Sequence, residues 1–248
     1  MKKLLILLSL LISSGAMAQK TEGVVTYVRK ENWTKITNRL TFLSQEEKDR
    51  AAQMRKNWDE NYKGLKMKLP FNANESLYTY YSDEPEEGGY SWRKDEFYLY
   101  RNAEKDKKTD IIEMLGKTYV IEDSLHAPVW KIGNQIKEVA GYICMKAETQ
   151  DLIKKQKITA WFAQDIPVSA GPERYNGLPG LILELDINDG DAVIEATSVV
   201  FKKITPDDLK LPKTKGKKIN DAAYDAVVRQ HIAESITAHR NPYWTIRY

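Results

Sequence analysis

The segment from Ile158 to Phe201 constrains the fold of this 248-residue chain more than any other. Two runs of alternating apolar residues flank Asn188-Asp189-Gly190-Asp191, and an Asp-Gly pair between such runs is a strong hairpin signal. With Asp189 and Gly190 as the loop, a slip of one residue would turn the apolar face outward, so we expect a core hairpin in one register. The expected apolar cross-strand pairs are Ile187–Ala192, Leu185–Ile194 and Leu183–Ala196.

The same register places Glu184 directly opposite Glu195. Opposed like charges are mildly unfavourable on a solvated face, and on a dry face they indicate a shared proton or a metal. Both readings fit the residues, and we interpret the pair as solvated and structural.

The loop before the hairpin combines prolines and glycines and is predicted to be rigid. Pro167, Pro172 and Pro179 fix φ, while glycines adopt conformations that other residues resist. The sequence contains no G-x-x-x-x-G-K-[ST], G-x-G-x-x-G or G-x-S-x-G pattern. We therefore interpret the loop as a structural corner that a partner could contact, not as a phosphate or nucleophile site.

The hexapeptide Gly177-Leu178-Pro179-Gly180-Leu181-Ile182 resembles the defining motif of the GLPGLI family, secreted Bacteroidota proteins of the Porphyromonas gingivalis type. Matching surroundings are Trp130, Gly141-Tyr142, Cys144, Lys146-Ala147, Trp161, Asp165-Ile166-Pro167-Val168 and Gly171-Pro172. The resemblance covers roughly residues 119–201. It implies an exported protein of unknown function, often associated with outer-membrane transport systems, and it brings no catalytic residues. The candidate binding residues are Gly177, Leu178, Pro179, Gly180, Trp161 and Trp130.

The first 18 residues have the pattern of a secretory signal peptide. A basic start at Lys2-Lys3 and a short apolar run precede Ala16-Met17-Ala18, so we expect cleavage after Ala18. No cysteine follows that site, which disfavours a lipoprotein. No later segment approaches the roughly 20 apolar residues of a transmembrane helix. We expect export to the periplasm or to an outer-membrane-associated location.

The charge balance argues against a nucleic-acid partner. Removing Lys2 and Lys3 from 38 basic residues leaves 36 against 35 acidic ones, so the mature chain lacks the excess that phosphate binding needs. Cys144 is the only cysteine, which rules out an intrachain disulfide. Residues 19–248 suit a single β-rich domain.

We predict an α+β fold, a predominantly antiparallel curved β-sheet or open barrel with two packed helices, at about 44–63 and 220–238. Ser44 and Glu47 form a capping box, and Asn220 or Asp221 caps the second helix. The first helix is expected to pack on the sheet through Ala51, Met54, Trp58 and Tyr62. Other segments are read as a strand at 36–43, an acidic turn at 83–89, a strand at 90–92, an exposed loop at 101–110 and a linker at 202–218.

Candidate chemistry is sparse. His126, Cys144 and Met145 could approach one another and suit a soft ion such as Cu(I), but a buried thiol and a surface histidine explain them better. His231 and Glu234 share a helix face, which we read as surface. We assign no metal and no cofactor. The acidic residues near the motif are explained by turn and outer-face positions; they are Asp165, Glu173, Glu184, Asp186 and Glu195.

Three functions remain open. The first is a non-enzymatic periplasmic or outer-membrane-associated protein that binds an apolar small molecule or an outer-membrane transport protein. Its pocket would be lined by Trp92, Phe97, Trp161 or Leu183. The second is an interaction module without a ligand cavity, and the third is a copper-handling protein or a hydrolase.

Overall fold

The computed structural model describes residues 21–81 and 95–248. The signal peptide at 1–18, the acidic turn at 83–89 and the strand at 90–92 lie outside the described residues. Within them, the helices are too short or too polar to cross a membrane.

The described chain forms twelve strands, three α-helices and one 3-10 turn. The strands are β1 (Gly23–Glu31), β2 (Leu65–Phe71), β3 (Glu75–Tyr80), β4 (Phe97–Asn102), β5 (Lys107–Met114), β6 (Lys117–Asp123), β7 (Lys131–Val139), β8 (Tyr142–Asp151), β9 (Gln156–Ala163), β10 (Leu181–Ile187), β11 (Ala192–Phe201) and β12 (Lys217–Ile219). The helices are α1 (Trp33–Asn38), α2 (Gln45–Asn61) and α3 (Asp221–Thr237), and the 3-10 turn is Pro242–Trp244.

All twelve strands belong to one mixed sheet that is not closed. Its order is β12-β6-β5-β4-β3-β2-β1-β11-β10-β9-β8-β7. The short β12 pairs with β6 in parallel, and the other pairings in the described residues are antiparallel. The main core lies on the face that α3 covers, where Tyr224 and Val228 join the buried strand residues. The predicted α+β class with a dominant sheet is confirmed.

The hairpin of β10 and β11 has the predicted register. Ile187 pairs with Ala192, and Leu185 pairs with Ile194. Asn188, Asp189 and Gly190 have φ values of 55°, 56° and 95°, a left-handed run that asparagine, aspartate and glycine tolerate best. The turn chemistry and the apolar alternation therefore specify the same structure.

Helix α2 is capped as predicted but packs differently. The Ser44 backbone N–H donates to Glu47 Oε2 at 2.8 Å, and Glu47 N–H donates to Ser44 Oγ at 3.3 Å. Met54, expected in the packed stripe, is 79% exposed.

The main described contact of α2 is with α1. Thr34 Oγ1 donates to Asp59 Oδ2 at 2.6 Å, and the Arg55 guanidinium lies 5.5 Å from the centre of the Trp33 ring. Because Met54 is exposed and the main described contact of α2 is with α1, the expected packing of this helix on the sheet is wrong for the residues whose side chains are described.

The predicted strand at 36–43 is wrong, because residues 33–38 form helix α1. The Asn32 side chain accepts a hydrogen bond from Lys35 N–H at 2.9 Å and so caps the helix. Ile36 is buried in the main core. The capping asparagine and the buried isoleucine outweigh the strand preference of this apolar run.

The predicted loop at 101–110 is also wrong, because it forms the ends of β4 and β5 and only a short turn. Arg101, Lys108 and Asp110 are buried there despite their charges. The predicted linker at 202–218 is partly ordered on the sheet. Ile204 and Leu209 form a small second core with Leu77.

Candidate functional site

The family motif lies in the connection between β9 and β10, at residues 164–180. A Cβ atom on Gly180 would lie 2.3 Å from the Ala163 carbonyl oxygen, so only glycine fits there. Gly177 has φ +91°, and a Cβ atom on it would lie 2.5 Å from Ala127 Cβ. Leu178 is buried between these two glycines. The tight packing of this loop therefore requires the residues of the motif.

The two tryptophans chosen with the motif lie in different surroundings. Trp130 Nε1 donates to the Asn176 carbonyl oxygen at 2.8 Å, and its ring packs against Tyr175. Trp161 lies on β9, where Lys137 Nζ sits 4.7 Å from its ring centre. Trp130 thus joins the motif loop, and Trp161 forms a separate contact with β7.

Glu173 of the same loop is buried in a cluster of arginines. Its carboxylate accepts hydrogen bonds from Arg247 Nη2 at 2.7 Å and from Arg29 Nη1 at 3.3 Å. Burial alone would raise the pKa of Glu173, but Arg247 and Arg29 hold that pKa below its ordinary value. Glu173 lies in a turn, as expected, but its carboxylate is buried and paired with two arginines, which a turn position alone does not explain.

Arg174 enters a second cluster, centred on the fully buried Asp110. Its Nε atom lies 3.3 Å from Asp110 Oδ2, and the guanidinium also pairs with Asp221. Lys108 Nζ lies 2.6 Å from Asp221 and 3.3 Å from Asp110, and Arg101 completes the cluster. Burial would raise the pKa of Asp110, but the three surrounding cations hold it below its ordinary value.

Two adjacent residues of opposite charge, Glu173 and Arg174, therefore connect the motif loop by ion pairs to both halves of the sheet. Glu173 reaches Arg29 on β1 and Arg247 near the end of the sequence, while Arg174 reaches β5 and the start of α3. Sequence reasoning missed this role. The available signal was a Glu-Arg pair inside an otherwise apolar loop rich in proline and glycine.

A cavity of about 90 Å³ lies between this loop, the sheet and α3. Its polar wall contains Lys154, Glu173, Arg174 and Arg247. Its apolar wall contains Phe97, Ile112, Met114, Tyr224, Val228 and Ile246. Of the residues expected to line a pocket, Phe97 does so, whereas Trp161 and Leu183 do not and Trp92 lies outside the described residues.

The residues considered for copper are not brought together by their described contacts. Cys144 is buried, burial raises the pKa of its thiol to about 11, and its Sγ atom donates to the Tyr142 carbonyl oxygen. Met145 pairs with Ile136 and Phe162 across the sheet. His126 is 68% exposed and lies 4.0 Å from Asp221. In the described residues no group of three or more His, Cys, Asp or Glu could hold a metal ion.

Glu184, expected on a solvated face, is only 7% exposed, and that expectation is wrong for this residue. Lys137 Nζ lies 2.5 Å from its Oε2 atom, so the charge is paired across two strands. Burial raises the pKa of Glu184, and the ion pair with Lys137 opposes that shift. Glu195 is its cross-strand neighbour, as predicted, and is exposed.

The fold has counterparts among solved structures. PNGF-II in space group P21 aligns with 84% of this chain and 33% of its own, at TM-score 0.56 and 15% identity. PNGF-II in space group C2 aligns with 84% and 32%, at TM-score 0.54 and 16% identity. The chain therefore spans about a third of the length of PNGF-II. An uncharacterized conserved protein from Thermus thermophilus aligns over 81% of this chain and 91% of its own, at TM-score 0.39 and 7% identity.

At 15% and 16% identity, the two PNGF-II alignments show a likeness of fold alone. The search of curated proteins gives no match. Residues 148–184 match a family described as "Protein of unknown function (Porph_ging)". The match spans β9, the motif loop and the start of β10, and it confirms that this segment carries the sequence pattern of the Porphyromonas gingivalis-type family of unknown function that the Gly177–Ile182 motif indicates.

Proposed function

We propose that the chain is an exported, non-enzymatic binding protein whose ligand occupies the cavity beside the motif loop. The observation that supports this most is the cavity wall, which combines apolar side chains with charged groups held in place by ion pairs. Ligand sites commonly combine apolar walls with a few fixed polar groups. The signal-peptide pattern supports the exported location.

The cavity also supports a strongly curved sheet. Ile112 and Met114 come from β5, whereas Ile187 comes from β10, six strands further along the sheet order. In a flat sheet six steps would separate these strands by roughly 29 Å, at about 4.8 Å per step. Residues so far apart line one small cavity only if the sheet curls around it, as we infer.

The size of the cavity limits the ligand. Sites for drug-sized molecules span about 300–1,000 Å³, well above the 90 Å³ of this cavity. We therefore propose a ligand of few heavy atoms and not a lipid.

Native mass spectrometry of protein recovered undenatured from an exporting host tests this proposal. We expect a small co-purifying species on the wild type and its loss in Val228→Phe, which fills the cavity. Ala226→Phe adds the same ring to an exposed position of α3 and should retain the species. Near-ultraviolet circular dichroism checks that each variant is folded. A wild type without a bound species, or an unchanged Val228→Phe, would contradict the proposal.

A second candidate function, that of an interaction module, is favoured by the free edge of β7. This strand is the last in the sheet order, so its outer edge has no strand partner in the described residues. Ile132 and Ile136 on it are 48% and 65% exposed. An unpaired edge with exposed apolar side chains can accept a strand from another protein. Its partner would be an outer-membrane transport protein.

Photocrosslinking distinguishes this second function. A photoreactive residue at Ile136 should form an adduct with an envelope protein in cells. The same residue at Val200, which is also exposed but lies on β11, serves as the control. Adducts of equal yield from both positions, or none from Ile136, would rule out an interface at the β7 edge.

A further inference from the structure

Lys154 and Lys155 lie in the turn between β8 and β9, whose hydrogen bonds hold Lys154 in place, whereas the Lys155 side chain is exposed. Asp151 Oδ1 accepts hydrogen bonds from the backbone N–H groups of Ile153 at 2.8 Å and Lys154 at 2.9 Å. Lys154 Nζ donates to the Arg247 carbonyl oxygen at 2.7 Å. In the described part of the chain, neither lysine forms an ion pair with a carboxylate.

Lys154 lines a second cavity as well as the one beside the motif loop. This second cavity has a volume of about 190 Å³ and lies between α1, α3 and the last residues of the sequence. Its apolar wall contains Ile36, Leu40, Phe42, Ile232, Ile236 and Tyr243. Its charged wall contains Arg39, Lys154 and Lys155, and no acidic side chain of the described residues lines it.

Lys154 and Lys155 are the lysines that line this cavity, and Lys155 is the more exposed of the two. Arg39 is already paired with Asp191 and donates to the Asn188 carbonyl oxygen. Burial lowers the pKa of Lys154 to about 8, since nearby carboxylates compensate its charge only in part. The Lys154 side chain is only partly exposed and its ammonium group has no carboxylate at ion-pair distance in the described residues, so an anionic ligand would offset part of the cost of its desolvation.

We propose that Lys154, assisted by Lys155, binds the carboxylate of a small acid whose aromatic or branched body occupies the second cavity. This site lies in a separate cavity from the one beside the motif loop, so the inference goes beyond the proposed function and does not depend on the ligand proposed there. A cationic ligand would meet three positive groups in this cavity. Inorganic anions would leave the apolar wall exposed to water, whereas an organic acid contacts both walls.

Isothermal titration calorimetry with benzoate and its neutral analogue benzamide tests the inference. Benzoate should bind the wild-type protein at least ten times more tightly than benzamide, because a charge-assisted hydrogen bond contributes about a tenfold to hundredfold preference. Lys154→Met keeps the length of the side chain without its charge and should weaken benzoate binding at least tenfold. Lys157→Met removes an exposed lysine that pairs with Asp189 outside the cavity and should leave binding unchanged.

The pH dependence gives a second readout. Benzoate binding should weaken as the pH rises past about 8, the pKa of Lys154, where the free protein loses the proton on this side chain. In Lys154→Met the affinity should not change between about pH 6 and about pH 9, a range that brackets that pKa. Equal binding of benzoate and benzamide, unaltered affinity in Lys154→Met, or no binding of benzoate would overturn the inference. The proposed function would still stand if Val228→Phe displaced the co-purifying species, so the two failures can be distinguished.

Discussion

At the scale of single residues, Glu173 shows how a strained backbone position is held by distant charges. It has φ +57°, which costs free energy for a residue other than glycine. Its carboxylate contacts both Arg247 and Arg29, and Tyr78 lies within 3.5 Å of the same oxygen. The ion pairs offset the backbone strain and direct the next residue, Arg174, into the opposite cluster.

Replacing Glu173 with glutamine should lower the free energy of unfolding by about 3 kcal/mol, because it leaves Arg247 without its carboxylate partner and Arg29 with Glu31 alone. Urea denaturation followed by tryptophan fluorescence measures this loss. Glu195→Gln, at an exposed position, should change the free energy of unfolding by less than about 0.5 kcal/mol. If both variants changed the free energy of unfolding by a similarly small amount, the result would show that water hydrates the arginine charges when the Glu173 carboxylate is removed.

Glu173 and Asp110 should also make the protein sensitive to acid. Both have a pKa below the ordinary value in the folded state, so the unfolded chain binds protons more readily near about pH 4. Their contribution to stability is present above the ordinary carboxyl pKa and is lost as the pH falls through the folded pKa. Unfolding free energies at a series of pH values should show this loss, with a smaller slope in Glu173→Gln.

At the scale of elements, the loop of residues 164–180 depends on close backbone approach. Gly180→Ala should lower the free energy of unfolding by about 3 kcal/mol, since its Cβ atom would meet the fixed Ala163 carbonyl at 2.3 Å. Gly133→Ala on β7 is the control, because its Cβ atom would have only an ordinary contact at 3.7 Å. Thermal unfolding compares the two variants, and equal melting temperatures would show that the loop relaxes around the added methyl group.

At the scale of the whole molecule, Tyr248 joins the last residues of the sequence to the central hairpin and the first strand. Its hydroxyl donates to Asp191 Oδ2 at 2.5 Å and accepts from Asn188 Nδ2 at 2.6 Å. Its carbonyl oxygen accepts from Arg29 Nη2 at 3.2 Å. Tyr248 therefore links the last residues of the sequence to the hairpin through its side chain and to β1 through its carbonyl oxygen.

Tyr248→Phe should lower the free energy of unfolding by about 1–3 kcal/mol, because Asp191 and Asn188 lose a buried hydrogen-bond partner. Chemical denaturation measures the change. Tyr243→Phe is the control, since the Tyr243 ring packs on Tyr248 and the change removes a hydroxyl while keeping that ring. If Tyr243→Phe lowered the free energy of unfolding as much as Tyr248→Phe, the hydrogen bonds from the Tyr248 hydroxyl to the hairpin would not be the cause of the loss of stability.

The sequence by itself determined the local features of this protein. The hairpin register follows from alternation around Asn188-Asp189-Gly190, the start of α2 follows from Ser44 and Glu47, and the family pattern follows from Gly177–Ile182. These signals depend on residues a few positions apart, where backbone geometry fixes which side chains meet. The spacing of apolar residues gave a wrong prediction of a strand at residues 36–43 and a wrong prediction of the buried face of α2. In both segments, the packing partner decides which side chains are buried.

Only the tertiary structure decided which charges are buried. Glu173 lies 144 positions from Arg29 and 74 from Arg247, and no local pattern relates them. The sequence predicted an exposed loop at Arg101 and Asp110, because charged side chains are normally solvated. In the structure Asp110 is buried, and cations from three segments surround it. Lys154 lines a cavity because α1, α3 and the last residues converge on its turn. Burial of a charge depends on partners that only the folded chain brings together.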